Sequence, residues 1–198
     1  MLLEQPSLAP ESRESVSRML NETRRLTRMV KNMLLNVQLE TKPALTIEAV
    51  NLREIVDQVV GDMWKLTEGL TFNIDANKDV VVPAGRDLIV KMLMNIVDNA
   101  IKFTPKGGKI DIKLRSEGNW AVLKVTDTGR GIPNEQLPHV TEAFYKVSLS
   151  SKPAGEGARL GLAIVKQIIE LHHGDMEIIS KEGFGTSVII RLPLENKH

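Results

Sequence analysis

The stretch MNIVDNAIKFT, residues Met94–Thr104, carries two asparagines among apolar residues. Asn95 and Asn99 are four positions apart, which is about one turn of a helix, so both amides point to the same side. Asparagine is a mediocre helix former, and an amide that is buried without partners costs free energy. The pair therefore predicts either amides that bridge backbone groups in a core or a polar face that binds a ligand.

The composition excludes several classes of function. The chain has 198 residues, 42% hydrophobic and 26% charged, which suits one ordinary domain with an appendage. A formal net charge of +1 gives no reason to expect nucleic acid as a partner. The absence of cysteine excludes disulfides and thiolate metal sites, and it suits a reducing compartment. No apolar run approaches the ~20 residues of a membrane span, so we expect a soluble chain.

One long helix is predicted from about Pro10 to Leu39. Apolar residues recur at spacings of three and four, as in a coiled-coil seam, and Thr23 occupies the one polar position. The apolar positions are Val16, Met19, Leu26, Val30, Met33 and Val37. At 1.5 Å per residue the helix would be roughly 40 Å long, so we expect it to pack against a partner helix. An ordinary amphipathic helix is the alternative.

Downstream of this helix, the order of elements favours an α+β fold. Helices are predicted over Asn51–Lys65, Gly85–Phe103 and Leu160–Leu171. Strands are predicted over Thr46–Val50, Leu70–Ile74, Asp79–Val82, Lys109–Ser116, Trp120–Asp127, Asp175–Ser180 and Thr186–Leu192. Helices followed by antiparallel hairpins, rather than repeated βαβ units, predict a two-layer α/β sandwich with the helices on one face of the sheet.

Three stretches carry residues suited to nucleotide chemistry. The amides of Asn95 and Asn99 are neutral oxygen ligands for Mg²⁺ beside phosphate, and Lys102 adds a positive charge nearby. In DTGRGIP, Asp127–Pro133, the carboxylate of Asp127 can accept a hydrogen bond from an exocyclic amine. The two glycines of this stretch let the backbone approach a flat base. A plain turn is the alternative. GEGARLGL, Gly155–Leu162, leads into a helix whose first N–H groups attract phosphate, although a flexible loop is the alternative.

Together and in this order, NIVDNAIKFT, VTDTGRGIP, EAFYKV and the loop ending in LGLAIV resemble the N, G1, F and G2 boxes of bacterial sensor histidine kinases. The resemblance covers roughly Leu45–Leu194 and implies the Bergerat-type ATP-binding fold shared with gyrase, Hsp90 and MutL. LTRMVKNMLLNVQLE, Leu26–Glu40, resembles the second helix of the same family's dimerisation and phosphoacceptor hairpin. The implied regions are a partial dimerisation region, 1–41, and a catalytic ATP-binding domain, 42–198.

The resemblance implies a role for each matching position. Asn99 would hold Mg²⁺, Asn95 would line the phosphates and polarise the reacting site, and Lys102 would contact phosphate. Asp127 would accept from adenine N6. Gly129, Gly131 and Thr186 would shape the base pocket. Phe144 and Tyr145 would belong to the mobile lid. Gly157, Gly161 and Leu162 would border the triphosphate.

The implied activity is that of a protein histidine kinase with ATP and Mg²⁺ as cofactors. The γ-phosphoryl group would pass to a histidine and then to an aspartate of a response regulator. The implied partners are ATP, the acceptor helix, the response regulator and a second copy in a homodimer. The resemblance implies that the chain is part of the cytoplasmic portion of a sensor that can be membrane-bound.

Two departures from the family pattern bear on this activity. The chain has four histidines, His139, His172, His173 and His198. None stands in the acceptor's H-E-x-x-x-P-like setting, so we expect the acceptor helix to be missing and the chain not to phosphorylate itself. Arg159 replaces the central glycine of G-x-G-L-G-L, where a left-handed backbone would cost about a kcal/mol or more.

Two alternatives to a kinase stay open. An ATP-hydrolysing machine of the gyrase–Hsp90–MutL kind would need a general base where Asn95 stands, and an amide cannot take a proton from water. A binding or docking module would act through the exposed seam between Val16 and Val37. The missing acceptor and Arg159 both favour that second alternative.

Overall fold

The structure is a computed structural model that describes residues 45–64, 67, 69–76, 80–142 and 158–194, together with 12, 14–20, 22, 23, 26, 27, 30 and 34. In chain order the elements are β1 (Glu48–Asn51), α1 (Leu52–Trp64), β2 (Thr71–Ala76), β3 (Val81–Ala84), α2 (Arg86–Phe103), β4 (Lys109–Glu117), β5 (Trp120–Asp127), a 3₁₀ turn (Leu137–His139), α3 (Ala158–Leu171), β6 (Asp175–Lys181) and β7 (Gly185–Pro193).

The main sheet has five strands in the order β2-β4-β5-β7-β6, and β1 pairs with β3 in a second sheet of two strands. The pairs β4–β5, β5–β7 and β6–β7 are antiparallel, as the hairpin pattern predicts. The pair β2–β4 is parallel, which the hairpin pattern does not predict. Its connection runs through β3 and α2, and a parallel pair requires such a long crossover.

The core lies between the main sheet and the helices. Alternate residues of β4 and β5 point inward and are buried, as period-two strands require. They pack against the apolar stripe of α2 and the buried residues of α3. The stripe of α2 consists of Ile89, Met92, Leu93, Ile96 and Val97. The buried residues of α3 are Ile164, Val165 and Ile168. The other face of the sheet carries charged residues, for example where Arg191 contacts Asp175 and Glu177. These layers confirm the predicted α+β sandwich.

Local chemistry sets the boundaries around α1 and β3. Oδ1 of Asn51 accepts from the backbone N–H of Arg53 (3.0 Å) and so caps the N-terminus of α1. The predicted strand Asp79–Val82 begins and ends two residues later, at Val81 and Ala84, and includes Pro83. A proline is tolerated there because β3 belongs to a two-stranded ribbon and needs partners on one side only.

The described residues of the N-terminal segment are helical. Met19, Leu26 and Val30 of the predicted seam are 69%, 51% and 57% exposed. Thr23 donates its hydroxyl hydrogen to the carbonyl of Met19 (2.9 Å), which satisfies the polar position of the seam. The seam residues Met33 and Val37 lie outside the described residues, so one continuous helix stays a prediction, as does the division into 1–41 and 42–198. In the part of the chain that is described, no helix is long and apolar enough to cross a membrane.

Candidate functional site

Helices α2 and α3 pack side by side in opposite directions. Near the start of α3, a Cβ on Gly161 would lie 3.5 Å from Oδ1 of Asn95 and 3.5 Å from Nδ2 of Asn99. At the other end, Nε2 of His172 accepts from the backbone N–H of Gly85, which precedes α2 (2.9 Å). The first turn of α3, whose N–H groups have no intrahelical acceptors, therefore lies beside both asparagines.

Both asparagines are half-buried at the edge of the apolar stripe of α2. Nδ2 of Asn95 donates to the carbonyl of Lys91 one turn earlier (2.9 Å), which leaves Oδ1 facing α3. Asp98, between them in sequence, is exposed. Amide oxygens suit Mg²⁺ and a helix N-terminus attracts anions, so the two features together suit a phosphate and its metal ion.

Asp127 is the last residue of β5 and is 9% exposed. Its Oδ1 accepts from the backbone N–H groups of Gly129 (2.8 Å) and Thr186 (3.3 Å). Among the described residues, no hydrogen bond ends on Oδ2. Burial raises the pKa of Asp127 above its usual value, and the two backbone hydrogen bonds oppose that shift. The geometry presents one fixed, uncommitted acceptor oxygen to an N–H donor.

Gly129 and Gly131 leave no room for a side chain. A Cβ on Gly129 would lie 2.5 Å from the carbonyl oxygen of Phe103. Gly131 has a φ of +68°, and its Cβ would lie 2.0 Å from the carbonyl oxygen of Lys181. Both clashes are with backbone of the chain itself. These glycines therefore let the loop after β5 pack between the end of α2 and the end of β6, whatever else they do beside a base.

Three side chains lie in a row across neighbouring strands. Asp127 of β5 is opposite Thr186 of β7, and Thr186 is opposite Ser180 of β6. Oγ of Ser180 contacts Oγ1 of Thr186 (2.9 Å), the carbonyl of Gly185 (2.9 Å) and the N–H of Ile132 (2.8 Å). Thr186 is among the site residues predicted from the sequence, whereas Ser180 is not. The signal for Ser180 was a hydroxyl at an inward position of β6, where an alternating strand ordinarily has an apolar residue.

Two basic side chains lie over the ring of Phe103. The guanidinium carbon of Arg130 is 4.5 Å from the ring centroid, and Nζ of Lys102 is 5.4 Å from it. The backbone N–H of Arg130 also donates to the carbonyl of Phe103 (3.3 Å). Positive charge is thus collected at the last turn of α2, about one turn after Asn99. Lys102 is one of the site residues predicted from the sequence, whereas Arg130 is not.

The remaining predicted positions divide into described and undescribed ones. Leu162 follows Gly161 on α3 and is half-buried. Phe144, Tyr145 and Gly157 lie outside the described residues. Arg159 lies within α3, so its backbone is right-handed. The free-energy cost that a left-handed conformation would impose on an arginine therefore does not arise.

The sequence matches the family model of the histidine kinase-, DNA gyrase B-, and HSP90-like ATPases over residues 84–196. The chain belongs to this family. The matched range includes every predicted site residue from Asn95 to Thr186. The family confirms the resemblance on which the site was predicted, and an ATP-binding domain is what its members share.

Individual relatives are sensor histidine kinases. YclK of Bacillus subtilis is 37% identical over 183 residues, which is 89% of this chain and 38% of the relative. SrrB of Staphylococcus aureus is 34% identical over 187 residues, 92% of this chain and 32% of the relative. A solved structure of the mycobacterial sensor histidine kinase MprB superposes with a TM-score of 0.67 at 28% identity and covers 75% of this chain and 99% of that one. The chain thus has the histidine kinase type of ATP-binding domain and spans well under half of the curated relatives' length.

Proposed function

We propose that this chain is the ATP–Mg²⁺-binding catalytic portion of a sensor histidine kinase. It would transfer the γ-phosphoryl group of ATP to a histidine on an acceptor helix, for relay to an aspartate of a response regulator. The observation that carries the proposal is the meeting of Asn95, Asn99 and the first turn of α3 at Gly161. That meeting brings Oδ1 of Asn95, the amide group of Asn99 and helical N–H groups to one place, in a domain of the kinase type.

The residues present fit a purine base. Asp127 is buried, its Oδ1 is held by two backbone N–H groups, and its Oδ2 can accept from adenine N6. Gly129 and Gly131 keep side chains out of the adjoining loop. The Asp127 carboxylate is held by backbone hydrogen bonds before the base arrives, which reduces the cost of ordering it on binding.

The residues present also fit phosphates with a divalent ion. Asn99 would hold Mg²⁺, Asn95 would line the phosphates, and Lys102 would place a cation near them. Bound Mg²⁺ supplies neutralisation of phosphate charge. Among the described residues, no group of three or more histidine, aspartate or glutamate side chains could hold a metal ion by itself. An ion at Asn99 would therefore share its coordination with phosphate oxygens, as Mg²⁺ commonly does.

Phosphoryl transfer depends mainly on positioning and charge stabilisation, and these side chains can provide both. The amide of Asn95 cannot act as a general base and deprotonate water, which disfavours hydrolysis. It favours transfer to a nucleophile that does not need a general base. His172 is a poor acceptor candidate, because its Nδ1 donates to the carbonyl of Ile168 (2.6 Å) and its Nε2 accepts from Gly85. The acceptor would come from a helix paired with the N-terminal segment.

The proposed division places dimerisation in 1–41 and catalysis in 42–198, within the cytoplasmic portion of a sensor. Exposure of Met19, Leu26 and Val30 supports a partner helix at that segment, in a homodimer of the whole protein. The same exposure favours the second candidate function, a docking module that acts through this surface without catalysis.

Two measurements test the proposal. ATP is titrated into the chain by calorimetry with and without Mg²⁺, and Mg²⁺-dependent binding is expected. An acceptor hairpin from a histidine kinase is then supplied, and its phosphorylation on histidine is followed. Binding followed by transfer supports the kinase, whereas binding without transfer to any supplied hairpin favours the docking module. Absence of ATP binding would overturn the proposal at its first step.

A further inference from the structure

The hydroxyl of Ser180 is a junction between three segments around Asp127. It contacts the N–H of Ile132 in the loop after β5, the carbonyl of Gly185 at the start of β7, and the hydroxyl of Thr186. All three distances are 2.8–2.9 Å, and all three contacts are partly buried. A serine hydroxyl has one hydrogen to donate and two lone pairs, so three partners use its full capacity.

The chemistry of the partners fixes the direction of each hydrogen bond. The N–H of Ile132 can only donate, so Ser180 accepts from it. The carbonyl of Gly185 can only accept, so Ser180 donates its one hydrogen to it. The hydroxyl of Thr186 must then donate to Ser180. This is the arrangement that turns all three contacts into hydrogen bonds, and it leaves Oγ1 of Thr186 with lone pairs only.

The orientation of Thr186 matters because Thr186 stands beside Asp127. The two residues are opposite each other in the β5–β7 register, and the N–H of Thr186 donates to Oδ1 of Asp127. A base edge bound at the Asp127 carboxylate would therefore lie next to Thr186 as well. With the hydrogen of Thr186 directed to Ser180, both side chains present acceptors to that edge.

We propose that Ser180 is a positioning residue that sets nucleobase specificity by holding the Thr186 hydroxyl as an acceptor beside Asp127. The inference rests on the proposed ATP site. An exocyclic amino group at purine position 6 donates two hydrogens and matches two acceptors. A carbonyl oxygen at the same position has only lone pairs, so a 6-oxo purine cannot donate from position 6 to either acceptor. Without Ser180, the Thr186 hydroxyl could rotate and donate to that oxygen.

The test compares ATP with inosine triphosphate, which carries a 6-oxo group in place of the 6-amino group. The dissociation constants of both nucleotides are measured by calorimetry for the parent chain, Ser180→Ala and Ser180→Thr. We expect the parent to prefer ATP and Ser180→Ala to narrow the ATP-to-ITP preference by about tenfold, the worth of roughly one neutral hydrogen bond. Ser180→Thr keeps a hydroxyl and is expected to retain the preference.

Ser187→Ala is the matched control. Ser187 is the next residue along β7, lies on the opposite face from Thr186, and shares a hydrogen bond with Thr126 (2.9 Å). The same chemical change there should leave the ATP-to-ITP preference unchanged.

A structural role of Ser180 alone would weaken both nucleotides together, because it would act through the shape of the whole pocket. An unchanged preference in folded Ser180→Ala would therefore overturn the inference. So would a parent that binds both nucleotides equally, although ATP binding itself would stand. Thermal unfolding establishes that each variant is folded. Should Ser180→Ala not fold, Ser180→Cys keeps the size but bonds weakly, and an unchanged preference there would also overturn the inference. Failure of the parent to bind ATP would be seen first and would overturn the proposed function as well.

Discussion

Nε2 of His172 accepts a hydrogen bond from the backbone N–H of Gly85, 2.9 Å away, and so joins the end of α3 to the start of α2. Nδ1 of the same ring donates to the carbonyl of Ile168 (2.6 Å). This pattern requires the neutral imidazole with its hydrogen on Nδ1, because a protonated ring would have no acceptor for Gly85. The helices that carry the asparagines and Gly161 are therefore held together by a titratable group.

The stability of the domain is expected to depend on the protonation of His172. Burial lowers the pKa of His172 below its usual value of 6.5, although the bond to Ile168 opposes the shift and His173 adds to it. At pH values between the folded and unfolded pKa values of His172, the unfolded chain binds more protons than the folded chain does. The contribution of His172 to the free energy of unfolding is therefore complete above pH 6.5 and decreases as the pH falls below it. Urea unfolding at several pH values measures the effect.

His172→Gln removes the titrating group, and the exposed His139→Gln is its control. Parent and His139→Gln should lose free energy of unfolding more steeply below pH 6.5 than His172→Gln does. Parallel curves for parent and His172→Gln would show that protonation at this site does not control stability.

Asp127→Asn is expected to weaken ATP binding without unfolding the domain. Asparagine can keep the acceptor that the N–H groups of Gly129 and Thr186 use, but it places an NH₂ group where Oδ2 was. That group donates instead of accepting, so adenine N6 meets another donor. Affinity should fall by about tenfold to a hundredfold, since hydrogen bonds to charged groups are worth about 1.5–3 kcal/mol. Calorimetry with ATP measures the loss.

Asp111→Asn on the other face of the sheet is the control, because Asp111 contacts Asn73 and lies away from Asp127. It should leave ATP affinity unchanged. Because burial raises the pKa of Asp127, the ionised carboxylate costs stability at neutral pH. Asp127→Asn should therefore unfold no more easily than the parent without nucleotide. A variant that binds ATP normally would contradict the assigned acceptor.

Residues whose role depends on nearby sequence were predictable from the sequence. Asn95 and Asn99 are on one side of a helix by spacing alone, and both lie on α2. Asp127 follows an alternating strand and ends β5. In each case local periodicity fixed the element, and side-chain chemistry suggested the ligand.

Features that depend on register between distant strands were not predictable. The sequence of β2, TFNIDA, does not encode its parallel alignment with β4. The hydroxyl of Ser180 gains its partners only when β6 pairs with β7 and the N–H of Ile132, 48 positions away in the sequence, comes within 2.8 Å. Arg130 became part of the site through a backbone bond to Phe103, and nothing in its local pattern indicates that contact.

Gly131 and Gly118 give a matched test of why the loop after β5 needs glycine. Both have positive φ, +68° and +58°, but a Cβ on Gly118 meets nothing within 4 Å, whereas one on Gly131 meets the backbone of Lys181. Gly118→Ala should cost only the left-handed strain of about 1 kcal/mol. Gly131→Ala should cost about 1–3 kcal/mol more, because backbone must shift. Urea unfolding compares them, and equal losses would mean that the close contact is easily relieved.

Asn99→Ala and Asp98→Ala separate metal binding from general charge effects at α2. Asn99 is half-buried and faces Gly161, whereas its neighbour Asp98 is exposed. If the Asn99 amide oxygen binds Mg²⁺, Asn99→Ala should reduce the Mg²⁺-dependent part of ATP affinity by about tenfold or more, and Asp98→Ala should change it little. Calorimetric titrations of ATP with Mg²⁺ and with a chelator measure that part directly. If both variants lose it equally, or neither does, the assignment of Asn99 as the Mg²⁺ ligand is unsupported.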